Sequence, residues 1–536
     1  MKKLLNTFFA VGLMSVIQAC ASSVAVEEFF SNDAQAYDIV ILNGRVIDPE
    51  SGLDAVRNVG ITGDEISIVT DAAITGAYMV DASGKVVAPG FIDYHAHGQS
   101  IMSGRTQAFD GVTTALELEA GIMPVSDYYD RLAREGRPIN YGASVSWAAA
   151  RISEKTGAEP VADFSFFQNS LKERSWQEEL ADEQELAGII SRVEEGLDQG
   201  GLGIGFLLGY APATGRKEYN FVNRVAAEHG VPTYTHARFL STIEPQSSFE
   251  GFEEMIAVSA STGAHMHICH LNSLSLRDID DIVELVDGAI GQGVNITVEA
   301  YPYGAGATSI GAALFRGPQW QERLGGVKKT DFVSVRGQLD EESFDELQAD
   351  APGTPVIVHF MNPETNPAHQ SVIDKSVLYP GGLIASDGGD WLAPTGKPYD
   401  GETWPVPAEA LNHPRSAGTF SRFLRQYVRE REAISLLDAI AKMSYLPAKY
   451  MEDSVPAMAR KGRIQAGADA DIVVFDLASV SDKATYLDPA HLSEGFEYVF
   501  VAGTPLIAEG ELDTSVLPGR PIRRPVRHET AGMVQD

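Results

Sequence analysis

Cysteine is almost missing from this chain. It has two, Cys20 and Cys269, and Cys20 falls in a segment expected to be processed, so no intramolecular disulfide framework is available. Basic residues are also scarce: 41 Lys and Arg stand against 74 Asp and Glu, a formal net charge of −33. That balance argues against a nucleic-acid partner, because neutralising phosphates takes Lys and Arg. It argues equally against docking on an anionic membrane surface, and a solvated acidic exterior accounts for it. Beyond the N-terminus there is no apolar run long enough to cross a bilayer. Two signatures of other chemistries fail in detail. The run Gly200-Gly201-x-Gly203-x-Gly205 lacks the βαβ context and downstream acidic residue of a dinucleotide loop. Ser386 is not set in a nucleophile elbow, which counts against a serine hydrolase.

What remains is a globular chain long enough, at 536 residues, for one large domain and a smaller companion. Its N-terminus reads as an export signal over residues 1–21: Lys2 and Lys3 precede an apolar stretch at 4–17, too short to span a bilayer comfortably. Ile17-Gln18-Ala19-Cys20 has the form of a lipobox in which Cys20 would carry a lipid, with Gln18 where a small residue is usual. Ala19-Cys20-Ala21 equally fits ordinary signal cleavage. Either route leads to the periplasm, free or anchored, and a lipid on Cys20 is the one expected link to a membrane.

Short β-like runs at 37–42, 56–61, 66–69 and 85–87 have counterparts at 471–475, 498–501 and 504–507. Residues 37–90 plus 455–520 therefore read as a small β-sandwich domain built from both chain ends. The middle, 91–454, alternates apolar runs with helix-like segments, the pattern of βα units. Candidate strands lie at 90–93, 113–118, 141–145, 202–207, 232–235, 265–269, 295–298, 356–359 and 382–385. That is one more than a (β/α)8 TIM-type barrel needs, so an α/β barrel with one run outside it is expected. Residues 310–350 are less regular and form either an insertion over the barrel mouth or a peripheral excursion.

Chemistry in such a barrel belongs at the strand C-termini. His95 and His97 follow the first apolar run; at i,i+2 on a strand both imidazoles face one way and suit a divalent metal such as Zn²⁺. Alone, the pair is also compatible with two solvated histidines. Glu117 and Glu119 end the next run, where a buried carboxylate is costly unless it meets a cation. His236, His270 and Asp387 each follow a later run. Any one could be a hydrogen-bonded core residue; five strand ends offering ligand-type side chains point to a metal-dependent hydrolase.

The motifs that carry a family resemblance are residues 89–97, Gly111 to Thr114, Thr235-His236-Ala237-Arg238, His267-Ile268-Cys269-His270, Tyr301-Pro302-Tyr303, Ser386-Asp387-Gly388 and His413-Pro414-Arg415, with Gly462-Arg463-Ile464 and GADAD at 467–471. The chain resembles the amidohydrolase superfamily, and within it the N-acyl-D-amino-acid deacylases, over nearly all of its mature length. The resemblance implies that His95, His97, His236 and His270 are metal ligands. It implies that Asp387, ligand and catalytic group, takes a proton from the attacking water and returns it to the leaving amine. Arg415 matches the arginine that clamps the substrate α-carboxylate, and Tyr301 the tyrosine beside it. One or two divalent metals, Zn²⁺ first, are implied as cofactor.

Two departures from the family pattern matter. The strand candidates at 139–147 and 201–210 contain no Lys, so a bridging carboxylated lysine has no source. Where the deacylases commonly place a cysteine after the second strand, this chain has Ala120, preceded by Glu119. Glu119 is inferred to serve as the metal ligand there, with Glu117 as the alternative, because i,i+2 residues share a face. Asn272 stands where a lysine is frequent, which leaves the side-chain preference open.

A bound Zn²⁺ lowers the pKa of its water to about 7 and polarises the scissile carbonyl. The expected reaction is hydrolysis of N-acyl amino acids, with the D configuration implied by the resemblance, or of a short peptide. A cyclic-amide hydrolase or a dipeptidase would keep the same fold, and a catalytically silent binding lipoprotein is the reading from another class. His265 and His267 read as packing or supporting histidines, His359 as a pocket or core residue, and Cys269 as a buried small hydrophobe.

Overall fold

The computed structural model describes residues 37–399 and 403–527; the export signal expected at 1–21, with Cys20, lies outside the described residues. Eight parallel strands form one sheet: β1 (Phe91–Asp93), β2 (Val112–Ile122), β3 (Asn140–Ser146), β4 (Ile204–Leu207), β5 (Thr233–His236), β6 (Met266–Ile268), β7 (Ile296–Ala300) and β8 (Leu383–Ile384). Each pairs with its neighbour in sequence. The ends of the sheet meet just past β1 and β8. There the Asp93 carboxylate accepts from the Ser386 amide at 2.9 Å and from its hydroxyl at 2.5 Å, and the Gly98 amide donates to the Gly388 carbonyl at 3.0 Å. The sheet thereby closes into a barrel.

Helices between the strands cover its outside, which is why the strands read as continuous apolar runs rather than alternating ones. Glu183–Asp198 shows how the sequence sets such a helix. It opens on a capping box between Asp182 and Glu185 and buries Ile189, Val193, Gly196 and Leu197, one helical face. Trp147–Thr156, Arg216–His229 and Ser248–Thr262 stop at Gly157, Gly230 and Gly263, each in the left-handed region that glycine adopts without strain.

A nine-stranded sheet draws on both parts of the chain, with Tyr37–Asp48, Leu53–Thr62 and Val86–Pro89 from the first and Ile472–Phe475, Phe496–Val501 and Thr504–Ala508 from the last. Ile41, Val59, Ile61, Val87, Ile472 and Phe500 belong to its own apolar core. The chain passes from this sheet into β1 at Gly90, where any Cβ would collide with the side chain of Thr113.

The run at 356–359 is the one outside the barrel. As Pro355–His359 it pairs antiparallel with Ala305–Ser309 and Phe332–Ser334 in a four-stranded sheet inserted between β7 and β8. Phe315, Trp320, Phe332 and Phe344 pack together inside this insertion, with Trp320 and Phe344 stacked at 5.6 Å. It leans over the β4 and β5 side of the barrel mouth: the Tyr210 and Thr308 hydroxyls lie 2.6 Å apart, and the Thr242 amide donates to the Arg323 carbonyl at 2.8 Å.

After β8 the helix Arg415–Phe423 is interrupted at Gly418, whose φ and ψ of −151° and 16° are not helical. The interruption leaves new amides to be capped. Asp110, buried at the end of the first barrel helix, accepts from the amides of Phe420 at 2.8 Å and Ser421 at 2.9 Å and from the Ser493 hydroxyl at 3.0 Å. Asp110→Ala would strand two buried amides, at about 1–3 kcal/mol each. We expect a loss of roughly 2–6 kcal/mol in denaturant unfolding; a loss below about 0.5 kcal/mol would show that the cap is dispensable.

Candidate active site

The end of β1 sets the first pair of histidines. Asp93 accepts from the His95 amide at 3.1 Å, while Tyr94 turns into the barrel and donates to the Pro447 carbonyl. His95 and His97 therefore project together, with their Nε2 atoms 3.1 Å apart. The end of β2 carries both glutamates, and the structure separates them. Glu119 Oε2 lies 3.2 Å from His95 Nε2 and 3.7 Å from His97 Nε2, and Oε1 lies 3.2 Å from His236 Nδ1 and 2.8 Å from His270 Nε2. Glu117 stands behind this group, 2.8 Å from His97 Nδ1. One carboxylate thus faces four imidazoles, and the other orients one of them.

His236 and His270 approach each other to 3.1 Å between Nδ1 and Nε2. His270 has φ 30° and Asp387 φ 52°, left-handed values that cost energy in a non-glycine residue and cluster at functional sites. Asp387 Oδ1 is 3.5 Å from both His95 Nε2 and His97 Nε2 and 2.8 Å from Arg415 Nη2. Burial alone would raise the Asp387 carboxyl, but Arg415 and His95 outweigh it and hold it below its ordinary value. Glu119 likewise would be raised by burial and is held well below its ordinary value by His95 and His270.

Three of the imidazoles are held from behind. His95 Nδ1 meets Glu299 Oε1 at 2.5 Å, His97 Nδ1 meets Glu117, and His270 Nδ1 meets the Ser273 hydroxyl at 2.9 Å. An Nδ1–H can donate to each of these partners, which leaves Nε2 as the inward-facing atom, free to ligate once a metal takes the place of its proton. Nitrogen and oxygen atoms converging at 2.8–3.7 Å need positive charge among them, as protons or as a metal ion. Among the described residues two groups of inward-facing donors are close enough to share a cation, His95 with His97 and Asp387, and Glu119 with His236 and His270, each within 4.8 Å; a third, His95 with Cys269 and Glu299, lies behind His95. Tetrahedral bonds of about 2.0–2.2 Å set ligand atoms roughly 3.3–3.6 Å apart, so the residues fit one or two divalent cations.

Glu299, on β7, was not singled out from the sequence, although ITVEA at 296–300 ends in the same strand-tip carboxylate pattern as β2. Its second oxygen is 3.1 Å from His267 Nε2, and His267 Nδ1 and His265 Nε2 both reach Thr297 Oγ1 at 2.8 Å. His265 and His267 are thus supports beneath His95. Cys269 is buried under the same histidine. Asn272 is buried and donates to the Tyr303 carbonyl at 3.3 Å, and His359 packs against Tyr486 at 4.6 Å.

Arg415 stacks over the Tyr301 ring at 4.6 Å. It is 1% exposed, and its Nε and Nη1 have no hydrogen-bond partner. A buried guanidinium with unpaired N–H groups asks for an acceptor. His97, Glu119, His236, His270, Tyr301, Asp387 and Arg415 open onto a cavity of about 790 Å³, lined also by the insertion.

A family model for the "Amidohydrolase family" matches residues 79–324 and 342–507. N-acyl-D-glutamate deacylase of Alcaligenes xylosoxydans xylosoxydans is 27% identical over 529 residues, covering 91% of this chain and 96% of that protein. D-aminoacylase of the same organism is 25% identical over 521 residues, covering 89% and 96%. Among solved structures, N-acyl-D-glutamate deacylase from Bordetella bronchiseptica, in complex with zinc and a phosphonate inhibitor, has a TM-score of 0.71 at 23% identity, covering 91% of this chain and all of that one. That likeness bears on the fold.

The geometry ranks the three glutamates. Glu119→Gln should lower zinc affinity most, because it removes the negative charge of a carboxylate that faces both histidine pairs. Glu117→Gln and Glu299→Gln should each weaken it by about 10–100-fold, as expected for groups behind a ligand. Isothermal titration of the metal-stripped proteins with Zn²⁺ checks the order, and a Glu117 effect exceeding that of Glu119 would reverse the assignment.

Proposed function

The chain belongs to the amidohydrolase family, and on that premise we propose that it hydrolyses the amide of N-acyl amino acids, of D configuration, with divalent metal. The observation that carries the reading is Arg415, a buried guanidinium with unpaired N–H groups, set 2.8 Å from Asp387 beside the converging donors. The free carboxylate of an N-acyl amino acid supplies the missing acceptor. The relatives matched along nearly their whole length are named for N-acyl-D-glutamate and D-amino-acid substrates, and this supports the choice of configuration.

His95, His97, Glu119, His236, His270 and Asp387 would hold the metal, as one or two ions. When bound, it activates water as a nucleophile and polarises the scissile carbonyl. The residues supply the rest. Arg415 and the Tyr301 ring hold the α-carboxylate and so fix the amide relative to the histidines. A planar guanidinium does this better than an ammonium. Asp387 accepts the proton of the attacking water on its carboxylate and delivers it to the amine nitrogen as the C–N bond breaks. Its lowered pKa keeps it ionised, as a base must be.

Purified protein with Zn²⁺ should release amino acid from N-acyl-D-amino acids faster than from the L forms. His236→Ala or His270→Ala should abolish the activity. Asp387→Asn should lower kcat by about 10²–10⁴-fold, whereas Arg415→Lys should chiefly raise KM, by about tenfold to a hundredfold. Unchanged turnover after complete metal removal would overturn the reading.

We further propose that the protein is exported, on the signal-like pattern at 1–21. Fractionation should place it in the periplasm or its membranes. If Cys20 carries a lipid, Cys20→Ser should move the protein from the membrane to the soluble fraction; cytoplasmic protein at its full length would refute export.

A further inference from the structure

The cavity is larger than an N-acetyl amino acid needs. Its volume of about 790 Å³ lies in the upper part of the range for drug-sized ligands, roughly 300–1,000 Å³. Its walls also differ in chemistry. Phe164 and Phe167 follow β3, Leu240 follows β5, and Leu314, Leu324 and Phe360 come from the insertion that leans over the same side. Of these, Phe164, Leu240 and Leu314 are only partly buried and keep apolar surface toward the cavity; Phe360, also partly buried, lies beside Tyr301 at Gly306.

The position of this wall follows from the barrel order. β3 and β4 lie diametrically across an eight-stranded ring from β7 and β8. Tyr301 and Asp387 sit at the ends of β7 and β8, and Arg415 beside Asp387. The histidines and Glu119 stand between the two sides. A substrate runs from carboxylate to α-carbon, nitrogen, carbonyl and then acyl chain. With its carboxylate on Arg415 and its carbonyl at the histidines, its acyl chain continues toward the apolar wall.

The other charged residues of the cavity have partners of their own. Arg131 and Arg137 lie 3.6 and 2.7 Å from Glu135, and Asp390 is engaged by the Ser100 amide and Ser103 hydroxyl. Among the described residues lining the cavity, Arg415 is the arginine whose unpaired N–H groups are buried.

We propose that the acyl group this enzyme removes is a long unbranched apolar chain of the fatty-acyl class, seated on the wall formed by Phe164, Leu240 and Leu314. The proposal rests on the N-acyl amino acid reading above. The reaction adds the oxygen of water to the acyl carbon, breaks the C–N bond and returns the proton to the amine, leaving a fatty acid and an amino acid.

The test is a chain-length series on one D-amino acid, acetyl, butyryl, octanoyl and lauroyl, with the zinc-loaded full-length protein. A second series keeps acetyl and enlarges the amino-acid side chain. We expect kcat/KM to climb about twofold to fourfold per methylene until the wall is filled, and Leu240→Asp or Leu314→Asp to cut the lauroyl-to-acetyl ratio at least tenfold. Inhibition of the wild type by free fatty acids, which needs no variant to fold, should tighten along the same series. A flat or falling chain-length profile, or a gain that follows side-chain size instead, overturns the acyl assignment and leaves the proposed function standing. Failure of every N-acyl substrate in both series overturns the proposed function and this inference with it.

Discussion

A single buried carboxylate, Glu119, organises the centre of this molecule. Its two oxygens face two histidine pairs that reach it from opposite sides of the barrel. An anion at 4% exposure would be costly in an apolar strand end, and four imidazoles crowded together there would be costly without an anion among them. Each arrangement is tolerable because of the other, and because a cation can sit among them. The full burial of β2 and the closure of β1 on β8 through Asp93 both serve to hold this group in place.

Around it lies a layer that does not reach the cavity chemistry directly yet decides its geometry. Glu117, Glu299 and Ser273 fix which nitrogen of His97, His95 and His270 carries the proton. Glu299 in turn is held between two histidines: burial would raise its carboxyl, and His95 and His267 lower it below its ordinary range. The left-handed backbone of His270 and Asp387 is a local cost that this network offsets. A ligand-type side chain on a strained backbone needs such support to stay within a few tenths of an ångström of its place.

The other decisive features lie far from the strand ends in sequence. Arg415 is aimed by a helix interrupted at Gly418, which Asp110, some three hundred positions earlier, caps from the first barrel helix. The insertion between β7 and β8 folds around its own aromatic cluster and roofs the mouth on one side only. Polar anchoring on the β7 and β8 side and apolar surface on the β3 to β5 side give the cavity walls of different chemistry.

Much of this was legible in the order of residues. The alternation of apolar runs and helical segments gives the barrel, because covered parallel strands must be apolar on both faces. The β-like runs near both ends give the second sheet, and the histidines with Asp387 stand out because polar groups directly after apolar runs fall at strand ends. Period-two spacing could not separate Glu117 from Glu119, since both share a face. Only the placement of β5 and β6 opposite β2 turned one toward the histidines and left the other behind His97. Glu299 escaped notice because a lone strand-tip carboxylate has no pattern until its partners, more than two hundred residues away in one case, are brought beside it. The run at 356–359 has the composition of a barrel strand, and the choice against the barrel was made by its antiparallel partners at 305–309 and 332–334. Sequence alone determined which side chains could do chemistry, through residue type and local period; tertiary structure decided which of them meet, because distances between strand ends are set by how the barrel closes.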